Sequence, residues 1–346
     1  MRAVRIGIIG AGFMGRTNAE TVTRYLTRAA LVAIAGGSRA AALAQDYGAA
    51  SESSVEALVA RDDLDAVLIS TPPSEHAAHA IAAAAHGKHV LLDKPMATTV
   101  EECNHILHAT QEAGVTLMIM FGQRFRTCNM TAHRLIREGA IGEVRMVEER
   151  ILATGGIGSL PPWQSEPQNG GTFLGHAVHN IDRIRWLTGA EVTSVSAQVQ
   201  HDPARGAEVS TMALLSLSNG GMATIWSSWN VAKPLFPGSA SGAWIAGRTG
   251  NLDLDAYGQL RLGRDETWTV VAEQEPIDWK GEGMLARVRM KAYQLQHQEF
   301  VDSILERRVP SVTGEDGRAA VEVAEAAYRS ARLGRTVHLG RVKENQ

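Results

Sequence analysis

The chain has 346 residues, 45% of them hydrophobic and 21% charged, with a formal net charge of −3. This length predicts two domains, and the near-neutral charge excludes a strong pull toward nucleic acid or an anionic membrane. Two cysteines, Cys103 and Cys128, exclude a disulfide framework and lack metal-type spacing, and no apolar run reaches the ~18 residues that cross a bilayer.

The opening segment "MRAVRIGIIGAG" enters a strand at once, so no leader is expected before it and a cytoplasmic location is the expectation. Strands are predicted at 4–10, 31–37, 65–71, 89–93 and 115–121. Helices are expected at "FMGRTNAETVTRYL", "SEHAAHAIAAAAHG" and "VEECNHILHATQEAG". Fully apolar strands alternating with helices indicate a parallel sheet covered on both faces. After about Gly122 the pattern changes. The helix "NMTAHRLIREGAIG" leads into strands with period-two alternation at 143–152, 191–200, 208–218, 221–230, 243–247, 250–255 and 259–263. Hairpin-type turns such as Ser218-Asn219-Gly220-Gly221 argue for a mainly antiparallel sheet, one face packed on helices and the other open. Two closing helices are expected at 290–308 and 314–334. The division is therefore 1–122 and 123–346, with the C-terminal helix packing back on the first domain. The loop 154–171, rich in Gly, Pro and Gln, is long enough to suggest a functional role.

"GIIGAGFMG" holds Gly10-x-Gly12-x-x-Gly15 between the first strand and helix, with Phe13 and Met14 inside the turn. Glycines there allow a tight turn, close approach of a pyrophosphate and close helix packing, and the helix N-terminus supplies unpaired N–H groups. An acidic residue is expected at the end of the second strand for the adenosine ribose. The chain has Ser38 and Arg39 instead. A hydroxyl and a guanidinium suit a 2′-phosphate, so NADP is the preferred expectation and NAD the alternative.

In "VLLDKPMATT", Asp93-Lys94-Pro95 ends a buried strand at the edge where doubly wound folds bind ligands. Lys94 is expected to face the nicotinamide crevice, with a lowered pKa and a cis bond to Pro95. In "NGGTFLGHAVHNIDRIRWLTG", His176, His179 and Arg183 recur at helical spacing near one face. No third ligand accompanies the histidines, so no metal is expected; a histidine close to Lys94 would be a proton donor or acceptor.

These segments, with "DAVLISTPPSEHAAHA", "REGAIGEV" and the tail beginning "HQEFVDSILERR", resemble the Gfo/Idh/MocA oxidoreductases essentially from end to end. The resemblance implies a Rossmann domain of doubly wound parallel sheet, then an α/β domain whose open, mainly antiparallel sheet forms homodimers or homotetramers. It implies an NAD(P)-dependent enzyme transferring a hydride between nicotinamide and a carbinol or carbonyl carbon of a sugar, sugar derivative or cyclic polyol. The family's E-K-P motif is similar to Asp93-Lys94-Pro95, and its D-x-G-x-H-x-x-D helix falls on Gly175, Ala177, His179 and Asp182. Lys94 and His179 are thereby the implied catalytic pair. Gly175 stands where the family has Asp, and His176 beside it is a candidate to compensate. Thr71, Pro72 and His76 resemble the nicotinamide-side contacts, with Asp93 and Lys94. Arg124 resembles an arginine near cofactor and substrate, and Trp163 an aromatic near the site. Asn180 and Arg183 are candidates to face a polar substrate. Arg124, Arg126 and Arg183 together hint at an anionic group on it. Two alternatives stay open: an NAD-dependent glycosidase working by transient oxidation at C3, and a non-catalytic dinucleotide sensor.

Overall fold

The computed structural model describes residues 3–203, 206–235, 241–278 and 281–340. The chain divides into two compact units, one formed within Met1–Phe125 and Ile277–Arg318, the other within Arg126–Pro276 and Ala319–Gln346.

The first unit is built on β1 (Val4–Ile9), α1 (Phe13–Arg24), β2 (Ala29–Ala35), α2 (Ala40–Tyr47), β3 (Ala50–Ser51), α3 (Val55–Val59), β4 (Ala66–Ile69), α4 (Pro73–Ala85), β5 (His89–Leu92), α5 (Val100–Glu112) and β6 (Leu117–Ile119). Its six strands run in the order β3-β2-β1-β4-β5-β6, all parallel. β1 and β4 bury nearly every side chain, as a doubly covered sheet requires. Each Ile or Leu enclosed there stabilises the unit by ~1.5–3 kcal/mol. The sequence placed Gly36 and Gly37 in the second strand; both have positive φ, +88° and +78°, so β2 stops at Ala35 and the glycines turn the chain toward α2. α5 starts with a capping box: Thr99 Oγ1 accepts from the Glu102 N–H at 3.1 Å, and Glu102 Oε2 accepts from the Thr99 N–H at 3.1 Å. Such caps contribute about 1 kcal/mol and fix where the loop after β5 ends.

The second unit contains α6 (Thr127–Arg137), β7 (Val144–Leu152), a π-helical turn (Phe173–Ala177), α7 (Val178–Thr188), β8 (Val192–His201), β9 (Glu208–Leu217), β10 (Met222–Ser228), β11 (Ser241–Gly247), β12 (Asn251–Asp255), β13 (Gln259–Arg264) and β14 (Thr267–Glu273). α8 (Arg287–Glu306) belongs to the first unit; α9 (Gly314–Leu333) begins there and continues into the second, followed by β15 (Val337–His338). The sheet order is β14-β13-β12-β11-β7-β10-β9-β8-β15, antiparallel throughout except for the parallel pair β7–β10. The Ser218–Gly221 turn joins β9 to β10 through a Leu217 N–H to Gly221 carbonyl bond of 2.9 Å. Alternation buries Ala213, Leu215, Ala223 and Ile225 on one face. It leaves Met146, Met212, Leu214, Met222, Trp226 and Trp244 exposed on the other. Among the described residues no helix is long and apolar enough to cross a membrane.

Candidate active site

In the first unit the loops after β1, β4 and β5 leave one edge of three adjacent strands. Gly10 turns there at φ +104°, and a Cβ on it would lie 2.6 Å from the Ser70 carbonyl oxygen. A Cβ on Gly15 would collide with the Gly10 carbonyl, so α1 packs onto the turn only with glycine at that place. Gly12 is the N-cap of α1 and offers no side-chain cap to the first-turn N–H groups. The first turn carries no acidic residue to compete for an anion. Phe13 is half-exposed, and the guanidinium of buried Arg289 lies 4.7 Å from its ring centroid. Ser38 and Arg39 are exposed after β2. Arg39 Nη2 lies 3.8 Å from where a Cβ on Gly12 would stand. Its guanidinium makes no ion pair or hydrogen bond among the described residues. An uncapped helix N-terminus, a glycine cradle and a free guanidinium beside it fit the phosphates of a dinucleotide.

Lys94 follows β5, and the Lys94–Pro95 peptide bond is cis. Asp93 Oδ1 accepts the Lys94 N–H at 2.8 Å. The Asp93 N–H continues the ladder to the Ile69 carbonyl at 2.9 Å. Burial lowers the Lys94 ammonium pKa, with Asp93 opposing, and raises the Asp93 carboxyl, with Lys94 and His76 opposing. His76 is fully buried and does not present a nitrogen to a ligand. Its Nδ1 lies 2.8 Å from the Pro95 carbonyl oxygen and its Nε2 2.9 Å from that of Thr71. The expected contact between His76 and cofactor is therefore replaced by a staple between two loops. Thr71 Oγ1 bonds His79 Nδ1 at 3.1 Å, and Pro72 is the N-cap of α4.

In the second unit His176 lies in the π-helical turn and His179 in the first turn of α7, both partly buried. His176 Nδ1 meets the Thr172 carbonyl at 3.2 Å, and its ring packs on Trp229 with centroids 4.2 Å apart. A π turn advances the chain by more residues per turn than an α-helix, so His176 does not keep the 3.6-residue periodicity with the residues of α7. Arg183, within α7, faces Glu149 of β7 and is buried. Its Nε donates to Glu149 Oε1 at 2.8 Å, and its Nη2 bonds Glu149 Oε2. Asn180 Nδ2 donates to the same carboxylate at 2.8 Å. Neither Asn180 nor Arg183 presents its side chain to solvent, where a substrate would meet it. A Cβ on Gly175 would meet nothing within 4 Å, so the position where the family carries Asp opens on empty space.

Arg124 is also buried and engaged within its own unit, with Asp316 at 3.1 Å and the Ser311 carbonyl at 2.9 Å. Arg126 lies buried over the Tyr257 ring at 4.3 Å. The hint of an anionic substrate draws no support from these arginines. Trp163 sits in a short 3-10 turn of the long loop, its carbonyl held by Asn169 Nδ2 at 2.8 Å and its side chain at the surface.

Sequence reasoning missed Glu208 and Tyr328. The Glu208 carboxylate accepts from the Phe173 N–H at 3.0 and 3.1 Å, from Thr211 Oγ1 at 2.6 Å and from the Tyr328 hydroxyl at 2.7 Å. The Tyr328 oxygen in turn accepts from the Leu174 N–H at 3.1 Å. Together they cap the start of the segment that carries His176 and His179. Glu208 opens β9 in a strand-like run and gives no motif signal.

A parallel doubly wound unit with this phosphate cradle, joined to a unit built on an open mixed sheet, defines a dinucleotide-dependent oxidoreductase architecture. The family model for the oxidoreductase NAD-binding Rossmann fold matches residues 4–121, and that for the Gfo/Idh/MocA C-terminal domain matches 129–253. The chain belongs to the Gfo/Idh/MocA oxidoreductase family. Inositol 2-dehydrogenase 2 of Saccharopolyspora erythraea is 28% identical over 344 residues, covering 96% of this chain and 94% of its own. The 1,5-anhydro-D-fructose reductase of Ensifer adhaerens is 29% identical, covering 97% and 98%. The crystal structure of aldose-aldose oxidoreductase from Caulobacter crescentus superposes with a TM-score of 0.82 at 28% identity, over 98% of this chain and all of that one.

Proposed function

We propose that the protein interconverts a carbinol and a carbonyl on a sugar, sugar derivative or cyclic polyol, with NADP as its preferred dinucleotide. The observation that carries this is Lys94, held by Asp93 at the end of β5, on the same sheet edge as an uncapped, glycine-lined helix N-terminus. The bound nicotinamide would supply two-electron acceptance or donation. Lys94 stabilises negative charge developing on the carbinol oxygen. His179 takes or returns the hydroxyl proton, a role suited to imidazole at neutral pH. Arg39, exposed and uncommitted beside Gly12, supports the choice of NADP, because a guanidinium binds a 2′-phosphate through two donors. The relatives named for inositol and anhydrofructose act on polyhydroxylated rings, which supports a substrate of that class.

The apolar open face of the second unit's sheet supports a homodimer or homotetramer in which a second copy covers Met212, Leu214 and Trp226. Light scattering on wild type and Trp226→Arg tests this; an unchanged assembly in the variant would argue for another interface. The two free, buried cysteines suit a reducing cytoplasmic setting.

The roles of Lys94 and His179 are tested with Lys94→Met and His179→Asn. Both variants are expected to retain dinucleotide affinity while turnover falls by about 10²–10⁴-fold. Wild-type turnover in either variant would remove that residue from the chemistry.

A further inference from the structure

His76 is enclosed on all sides, and each of its ring nitrogens faces a backbone carbonyl: Pro95 at 2.8 Å and Thr71 at 2.9 Å. Carbonyl oxygens only accept. A neutral imidazole has one N–H and one lone pair, so in either tautomer a lone pair would be directed at a carbonyl oxygen within hydrogen-bond distance. Only the doubly protonated ring satisfies both contacts. Its charge would be a second cation near Asp93, which already attracts the Lys94 ammonium. The remaining titratable neighbour is His79 on the same helix, and Thr71 joins the two histidines by giving its carbonyl to one and its hydroxyl to the other. Burial, and the Lys94 ammonium with it, pulls the ring pKa below the ordinary histidine value, whereas Asp93 and the two carbonyls favour the charge. Against this pull stand two charge-assisted bonds, one at each ring nitrogen, each stronger than a neutral one.

We infer that His76 is a permanently cationic positioning residue, whose two N–H donors tie the end of β4 to the loop after β5 and so fix the place of Lys94. It exchanges no proton in the reaction. The two bonds join the carbonyl immediately after Lys94 to the carbonyl that opens the adjacent loop. A ring that lost one proton would release one of these two ties.

The test is nitrogen NMR of the full-length protein labelled with 15N-histidine, without cofactor or substrate. His76 is one of twelve histidines, and is assigned by through-bond correlation and by loss of its signals in His76→Gln. The expected result is one histidine with both ring nitrogens protonated throughout the range in which ordinary histidines titrate, around pH 6.5. A single protonated nitrogen at His76 near neutral pH would overturn the assignment. This readout is independent of the proposed reaction, so the two fail separately. The positioning role rests on the oxidoreductase reading and is tested by kinetics. In His76→Gln both donors sit on one amide nitrogen, so they cannot replace the two separate ring nitrogens, and kcat is expected to fall about ten- to hundredfold through misplaced Lys94, with dinucleotide affinity changed much less. Unchanged kcat in a folded His76→Gln would overturn it, and if that variant does not fold the wild-type spectrum still decides the protonation state.

Discussion

Arg183 of α7 and Glu149 of β7 form a bidentate ion pair with neither side chain more than 2% exposed, and Asn180 adds a third bond to the same carboxylate at 2.8 Å. The pair fastens the helix bearing His179 to the sheet. Removing one partner leaves an uncompensated buried charge, so Arg183→Met is expected to lose about 3–5 kcal/mol in urea unfolding. If Arg183 instead met substrate, the variant would keep its stability and lose activity selectively on anionic compounds.

Glu208 and Tyr328 hold the other end of the same segment. Tyr328→Phe removes one donor to the carboxylate and leaves the Leu174 N–H unsatisfied, a loss of about 1–3 kcal/mol in stability. Because the capped residues lead into His179, Glu208→Gln is expected to lower kcat more than it raises KM. A rise in KM alone would place Glu208 near substrate binding and away from the histidine.

Gly175 leaves open space for a side chain, and its backbone lies outside the positive-φ region. Gly175→Asp should therefore fold with stability within about 0.5 kcal/mol of wild type. A carboxylate beside His176 and four residues before His179 favours the protonated imidazole, so the histidine-linked limb of the pH–rate profile should move to higher pH. A limb that stayed in place would show that the added carboxylate does not reach the proposed base, His179.

His297 of α8 is buried against Asn18, with Nε2 3.0 Å from Oδ1, and burial pushes its pKa down to about 4 from the ordinary 6.5. The unfolded chain binds the proton more readily between these values, so stability is complete above pH 6.5 and lost as pH falls toward 4. The loss from this group is on the order of 3 kcal/mol. His297→Gln should flatten that part of the stability curve measured by denaturant unfolding; an equally steep fall in the variant would assign it to other groups.

Strand and helix order in the first unit was legible because fully apolar strands and glycine turns leave a strong pattern. β3 and α3 were missed because they are only two and five residues long. β14 was missed because it is an exposed edge strand with no buried alternation to reveal it. Lys94 and the cis bond could be read from Asp93-Lys94-Pro95, since a proline after a strand end constrains the backbone. The surroundings of Arg124, His76 and Arg183 could not, because their partners Asp316, Pro95 and Glu149 are distant in sequence. The π turn at Phe173–Ala177 then put the spacing of His176 and Arg183 out of helical phase.

The proposed preference for NADP rests on Arg39. Arg39→Ala is expected to weaken NADP(H) binding by about ten- to hundredfold, as loss of a charge-assisted bidentate contact does, and to leave NAD(H) binding nearly unchanged. Equal loss for both dinucleotides in a fluorescence titration would place Arg39 over the adenine or pyrophosphate.

Net oxidoreduction is read from the stoichiometry of product and reduced dinucleotide when the purified protein meets a panel of inositols, sugars and glycosides with added NADP or NAD. Net oxidoreduction predicts one reduced nicotinamide for each carbonyl formed, abolished in His179→Asn. Glycoside cleavage with no accumulation of reduced dinucleotide would contradict it and establish the redox-neutral reaction instead.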